Sequence, residues 1–360
     1  MAAIDKRRTV IYITENNECA QLRYRIYNII ESLEKSVVWE AKCFSKNEIS
    51  KIDLDRVNIL VISRQTEKGN KILKLIKRAQ KNGVKVLFDL DDLVFSYDDL
   101  RVLIESVQEK NLIYWLGYVW GIRRIAKRVD GFLATNDFLA RKLKQVFKKP
   151  VKIIRNSLNQ KQVEISKKIL QKKELQKFMG EEFLIGYFSG SPTHKKDFQM
   201  VEPELISFLN TYENAKLKVV GYMEFSKQMK KMVDIGKVEI IAPVDYQKLQ
   251  YLVSEVDVNI APLVINDFTN CKSELKFFEA AIVKTTTIAS PTYVFKCAIM
   301  DGKNGFLAKP GEWYGKLEYL YQHPKENQKI AKVARDYVLK HYYGGELLKE
   351  IEEAYGFFAK

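Results

Sequence analysis

Histidine and cysteine are scarce in this chain of 360 residues, which has 3 of the first and 4 of the second. Cys19, Cys43, Cys271 and Cys297 are scattered with no close pair. This excludes a disulfide framework and a structural zinc site, and it suggests a reducing compartment. No apolar run approaches the ~20 residues needed to span a bilayer. The start, MAAIDKRRTVIYIT, passes from a charged stub directly into a strand pattern, so a signal peptide is not expected and a cytoplasmic protein is. Glycine is missing where a dinucleotide fold needs it most. The loop after the first strand is Glu15-Asn16-Asn17-Glu18-Cys19, without G-x-G-x-x-G, which argues against an NAD or FAD enzyme. Acidic residues fall short of basic ones, 45 against 60, for a net charge of +15. Nucleic acid is not the expected partner, since zinc-finger spacing, RRM-type aromatics and a basic arm are all lacking. The charge is left to a solvated lysine-rich surface, to anionic small substrates or to peripheral contact with an anionic membrane.

What is present is an alternation of strand and helix signals. Strands are expected at 9–14, 37–43, 57–63, 84–90, 129–134 and 151–154, with helices at 20–34, 67–82 and 137–147 between them. This is a Rossmann-like domain over residues 1–157. Arg23 and Arg25 open its first helix, either on a solvated face or reaching toward a phosphate or an anionic acceptor. The acidic run Asp89-Leu90-Asp91-Asp92 stands where the strand 84–90 ends, the edge at which open α/β sheets bind ligands. Asp89-x-Asp91 matches the metal-holding Asp-x-Asp of GT-A transferases, but a two-residue pattern is weak. The preferred reading makes Asp91 and Asp92 ligands for acceptor hydroxyls or helix caps. Residues 101–128 are rich in Leu, Ile, Tyr and Trp and end in Arg123, Arg124, Lys127 and Arg128. They are either core or an interfacial helix at an anionic membrane.

Residues 158–182 are highly charged and helical in pattern, without a large apolar face, and read as an interdomain connection. A second alternation follows over 183–342. Its first loop carries Gly190, Ser191, Thr193, His194, Lys195 and Lys196, in which small residues and positive charge stand beside a helix start. A helix cap is the plainer account of that loop. Tyr222 and Tyr246 follow later strands and are candidates to stack on a base. The stretch 257–290 reads as strand, polar loop, helix entered through Asn270-Cys271-Lys272-Ser273, and strand. Glu279 stands alone between Phe277-Phe278 and Ala280-Ala281, and a carboxylate there needs a partner. That partner is either a neighbouring Lys or amide, or the hydroxyls of a ribose. A last helix from about 346 is expected to return to the first domain.

Three groups of residues carry a family resemblance: Asp257-x-x-Ile260-Ala261-Pro262-Leu263; Asn270-x-Lys272-Ser273-x-x-Lys276-Phe277-x-Glu279; and Ile288-Ala289-Ser290 with Asp301-Gly302-Lys303-Asn304-Gly305-Phe306. Over about 183–342 the chain resembles the nucleotide-sugar half of a GT-B glycosyltransferase of family 4, in the bacterial polysaccharide group that includes rhamnosyltransferases. The resemblance implies an α/β chain of two Rossmann-like domains with a cleft between them. It also implies retaining transfer of a hexose from a nucleoside diphosphate sugar to a glycan or lipid-linked acceptor, at the inner membrane face, with no metal or other cofactor required. Glu279 takes the ribose-binding place. Lys272, His194, the Lys195/Lys196 pair and the helix-start amides take the diphosphate. Asn270 and Lys272 are the nearest polar candidates for the donor sugar's hydroxyls, and Ser273 is counted with the nucleotide-sugar site. Cys271 stands where the family has an earlier glutamate, eight positions before Glu279, and Asp91 or Asp92 stands in for a histidine lacking in the first half. The rival readings are a GT-B-like epimerase or phosphorylase, and a non-catalytic scaffold or binding subunit.

Overall fold

The computed structural model describes residues 7–15, 22–67, 69–175, 182–190 and 195–360. The chain divides into two compact units. The first comprises Met1–Asn159, Asn270–Ser273 and His341–Lys360, and the second Gln160–Thr269 and Glu274–Lys340.

In the first unit six parallel strands form a sheet in the order β2-β1-β3-β4-β5-β6. They are β1 (Arg8–Thr14), β2 (Trp39–Ser45), β3 (Ile59–Ser63), β4 (Lys85–Leu90), β5 (Gly131–Ala134) and β6 (Val151–Ile153). Continuous runs such as ILVIS and VLFDL are buried throughout, because a parallel sheet covered on both faces leaves no polar side to alternate with. The helices are α1 (Asn28–Leu33), α2 (Lys71–Lys81), α3 (Leu100–Ser106), α4 (Leu112–Ala126) and α5 (Asp137–Phe147). A π-helical turn, Arg23–Tyr27, leads into α1. The C-terminal helix Gly345–Phe358 packs Leu347, Ile351, Ala354, Tyr355 and Phe358 into the core around β1. Gly131 makes room for it, since a Cβ there would stand 2.3 Å from the Phe358 ring. The Tyr12 hydroxyl of β1 meets that of Tyr355 in a buried hydrogen bond.

Several boundaries move from their expected places for local reasons. The second strand starts at Trp39, not Val37, because the Ser36 hydroxyl accepts the amides of Val38 and Trp39 and holds a turn there. The helix expected from 67 starts at Lys71, where the Glu67 carboxylate accepts the Ile72 amide. The stretch 101–128 is two helices, not one. Asn111 interrupts it and caps α4 by accepting the Tyr114 amide at 3.1 Å.

The second unit has a six-stranded parallel sheet in the order β12-β11-β10-β7-β8-β9. Its strands are β7 (Phe183–Ser189), β8 (Ala215–Gly221), β9 (Val238–Ile241), β10 (Val258–Ala261), β11 (Thr286–Ala289) and β12 (Phe306–Leu307). Its helices are α6 (Gln160–Leu175), α7 (Lys195–Thr211), α8 (Lys227–Asp234), α9 (Tyr246–Glu255), α10 (Asp267–Asn270), α11 (Leu275–Ala281), α12 (Tyr293–Ala298), α13 (Trp313–Gln322) and α14 (Pro324–His341). The helix α6 corrects the expectation of a segment without an apolar face. Val163, Ile165, Ile169 and Leu170 are buried, and Gln250 of α9 donates to the Gln162 carbonyl at 2.6 Å. Its many lysines hide that stripe from a reading by composition. Among the described residues no helix is long and apolar enough to cross a membrane.

Candidate functional site

In open parallel sheets, ligands bind beyond the carboxyl ends of the strands where the strand order reverses. In the first unit the order reverses between β1 and β3, and in the second between β7 and β10.

The first unit places a charged cluster at the carboxyl ends of β3 and β4. Arg64 directly follows β3, and one of its guanidinium nitrogens donates to Asp91 at 3.1 Å and to Asp92 at 2.6 Å. All three side chains are mostly withdrawn from solvent. Burial pushes the Asp92 carboxyl up, but the charges of Arg64 and Lys272 outweigh this and hold it below the usual carboxylate range. Arg64 itself is held well above its ordinary value, because Asp91 and Asp92 more than offset its burial. Lys272 therefore shares its field with Asp92 although 180 positions separate them. The helix-cap alternative for Asp91 and Asp92 does not hold: the next helix begins at Leu100, and both carboxylates are engaged by Arg64.

Beneath this cluster Arg25 and Asp89 form a buried pair, at 2.6 and 3.1 Å. Arg25 also donates to the Ile154 carbonyl and to Asn156 Oδ1. Burial raises the Asp89 carboxyl from its ordinary value while Arg25 pulls it down, and burial disfavours the Arg25 charge while Asp89 raises it. The two hydrogen bonds from Arg25 offset part of that burial cost. The solvated-face and ligand-reaching readings of Arg25 are both corrected, since its guanidinium is spent inside the unit. Asp89, paired in this way, is also removed from the Asp-x-Asp pattern.

Asn270–Ser273 belongs to the same unit, and two asparagines hold it. Asn136 Nδ2 donates to the carbonyls of Cys271 and Lys272, at 3.0 and 3.1 Å, and Asn156 Nδ2 donates to Ser273 Oγ at 3.0 Å. With those carbonyls drawn off, the chain does not continue as helix. The segment expected as a helix entry is a break between α10, which ends at Asn270, and α11, which starts at Leu275. Cys271 is fully buried, so no polar group replaces the family's glutamate at that position.

The second unit holds the remaining candidates. Gly190 follows β7 and is exposed, with open space where a Cβ would be. Ser191, Thr193 and His194 lie outside the described residues. Lys195 and Lys196 open α7, and Lys195 pairs with Glu224. Ser189 and Gly221 are register partners on β7 and β8. Gly221 has φ +106°, and a Cβ there would stand 1.8 Å from the Ser189 carbonyl oxygen, so only glycine fits. Tyr222 follows it and is exposed, while Tyr246 is the half-buried first residue of α9. Glu279 lies on α11 and is half-buried, with Phe277, Phe278, Ala280 and Ala281 buried around it.

Some neighbours carried no signal of their own. Asp197 on α7 is buried and accepts the Val264 amide at 2.8 Å, tying the start of α7 to the exit of β10. The Lys276 ammonium stands 4.5 Å from the centre of the Tyr187 ring on β7. Lys276 lies between Ser273 and Glu279, and the sequence alone assigns it no role. Arg64 could have been found by the same carboxyl-end rule that singled out Asp91.

No protein-family model matches the chain, and no curated protein matches it. Solved structures match it in fold. HepE of Anabaena in complex with UDP and glucose superposes with a TM-score of 0.64, over 98% of this chain and 100% of that one, at 13% identity. Sucrose-phosphate synthase of Thermosynechococcus elongatus gives 0.66 over 98% and 99%, at 12% identity. A glycosyltransferase of Rickettsia africae gives 0.63 over 98% and 99%, at 13% identity. These neighbours are GT-B glycosyltransferases, and with its two Rossmann-like α/β units the chain has the GT-B fold.

Proposed function

We propose that the chain is a glycosyltransferase that moves a hexose from a nucleoside diphosphate sugar to a glycan or lipid-linked acceptor, with retention and without a metal, in the synthesis of surface polysaccharide. The observation that carries this reading is the field that Lys272 shares with Asp92, beside the Arg64 clamp on Asp91 and Asp92. In this reading Lys272 supplies fixed positive charge for a departing diphosphate, and Asp91 and Asp92 supply carboxylates for acceptor hydroxyls. Preorganised charge and positioning can supply most of the rate enhancement of such a transfer.

In this reading Lys272, His194, Lys195 and Lys196 hold the diphosphate with the loop of Gly190, Ser191 and Thr193, and Asn270 and Ser273 belong to the donor-sugar side of the site. Glu279 accepts from the ribose, and Tyr222 or Tyr246 stacks on the base. Asp91 and Asp92, held in place by Arg64, take acceptor hydroxyls. HepE was solved with UDP and glucose and with UDP-glucose, which supports UDP-sugars as the first donors to try. The sequence resemblance adds a deoxyhexose such as rhamnose as a candidate sugar, on dTDP.

The test is release of nucleoside diphosphate from UDP-, dTDP- and GDP-hexoses, with and without saccharide and polyprenyl-phosphate-linked acceptors. Acceptor-dependent release that falls at least ~10-fold in Lys272→Ala supports transfer. Conversion of the donor sugar without release of diphosphate points instead to an epimerase, and neither release nor conversion points to a binding subunit.

A further inference from the structure

The helix α4 has two apolar faces and needs only one. Trp115, Val119, Ile122, Ile125 and Ala126 are buried against the first unit. On the other side Ile113 (79% exposed), Leu116 and Trp120 (49%) follow one another at helical spacing, with Leu112 beside them, all in solvent. Single exposed apolar residues are ordinary, but a row of aliphatic and aromatic side chains on one helix marks a surface that is covered in use.

The charge around the row says by what. Beyond Trp120 the same face continues into Arg124 and Lys127, and the Arg124 guanidinium lies 4.8 Å from the Trp120 ring. The helix α2 meets the C-terminal end of α4: Arg124 donates to Asn70 just before α2, and Gln80 near its end donates to the Arg128 carbonyl. Its sequence, KILKLIKRAQK, has no acidic residue, and Lys71, Lys74, Lys77, Arg78 and Lys81 are all exposed. Glu105 and Glu109 precede α4, at the far end from this basic field, and Glu105 is paired with Arg101.

We propose that α4 and α2 form a docking surface for an anionic lipid bilayer. Ile113, Leu116 and Trp120 enter the headgroup boundary, and the lysines of α2 lie over lipid phosphates. A second copy of this chain is the poorer occupant, because pairing the face with itself would bring two lysine-rich helices together. The inference rests on the first unit alone and is independent of the nucleotide-sugar reading.

The structure supplies its own probe. Of the four tryptophans, Trp39, Trp115 and Trp313 are buried and only Trp120 is exposed. The experiment floats the full chain with phosphatidylcholine vesicles containing or lacking phosphatidylglycerol, and follows tryptophan quenching by brominated lipid. Binding is expected only with phosphatidylglycerol, weakened by 0.5 M salt, with quenching abolished in Trp120→Phe. The pairs Ile113→Asp/Leu116→Asp and Lys74→Glu/Lys77→Glu should each lower vesicle affinity at least ~10-fold, with unchanged circular dichroism and thermal melting. Absence of binding at every lipid composition overturns the proposal, and so does binding that both pairs leave intact. A chain that self-associates without vesicles and is dispersed by Ile113→Asp would make the face an interface between copies, and would overturn it too.

Discussion

Arg25 and Asp89 make a two-point ion pair in which the side chains are 1% and 2% exposed. From it a chain of hydrogen bonds runs through Asn156 to Ser273, so the loop that carries Lys272 is fastened to the core of the first unit. An ion pair this deep costs desolvation on both sides, and removing one partner strands the other. Arg25→Ala should therefore destabilise the protein by about 3–5 kcal/mol, and Arg25→Met with Asp89→Leu by clearly less. Urea denaturation of both variants checks this. Equal losses would deny that the single variant's cost is the stranded carboxylate.

Asp92 gives a pH dependence of known sign. Its folded-state pKa is depressed by Arg64 and Lys272 against the opposing push of burial. The stability it contributes is thus fully present above the ordinary carboxylate pKa of about 4 and is lost as pH falls through the lower folded value. Wild type should be more stable than Asp92→Asn at pH 7, with the gap closing as pH falls below about 4. Thermal melts across that range measure it, and a gap that widens in acid would contradict the pairing.

Asn136 is expected to act by position. Its amide holds the carbonyls on either side of the Cys271–Lys272 bond. Asn136→Ala should lower kcat/KM at least ~10-fold through misplacement of Lys272, while stability falls by only about 1–3 kcal/mol. Kinetics and melting of the same preparation separate the two effects. A purely structural role would move stability alone.

Gly221→Ala should cost about 2–5 kcal/mol, combining left-handed strain with overlap against the Ser189 carbonyl. Denaturant titration reads the loss directly. A neutral substitution would mean that β7 and β8 part easily at their carboxyl ends.

The strands were legible because burial on both faces writes itself as unbroken apolar runs, as at 59–62 (ILVI) and 86–88 (VLF). The acidic run after β4 was legible because carboxyl ends of parallel strands are where ligands bind. The burial of Arg25 was not, since a guanidinium gives no local sign of its depth and its partner stands 64 positions away. Lys272 and Asp92 are farther apart still, and only the fold brings their charges into one field. The apolar stripe of α6 was masked by its lysines, and the start of β2 by one serine hydroxyl. Composition records how much charge a segment carries, not which way it faces.

The central claim is nucleotide-sugar binding, and ligand-induced thermal stabilisation tests it most directly. The panel is UDP, GDP, dTDP and their sugar conjugates, first without metal and then with Mg²⁺. A ligand at ~100 times its dissociation constant adds about 2.7 kcal/mol. The account predicts a metal-independent rise in Tm with one base, lost in Glu279→Ala and reduced in Lys272→Ala. No shift with any nucleotide in a folded sample, or a full shift in both variants, would contradict it.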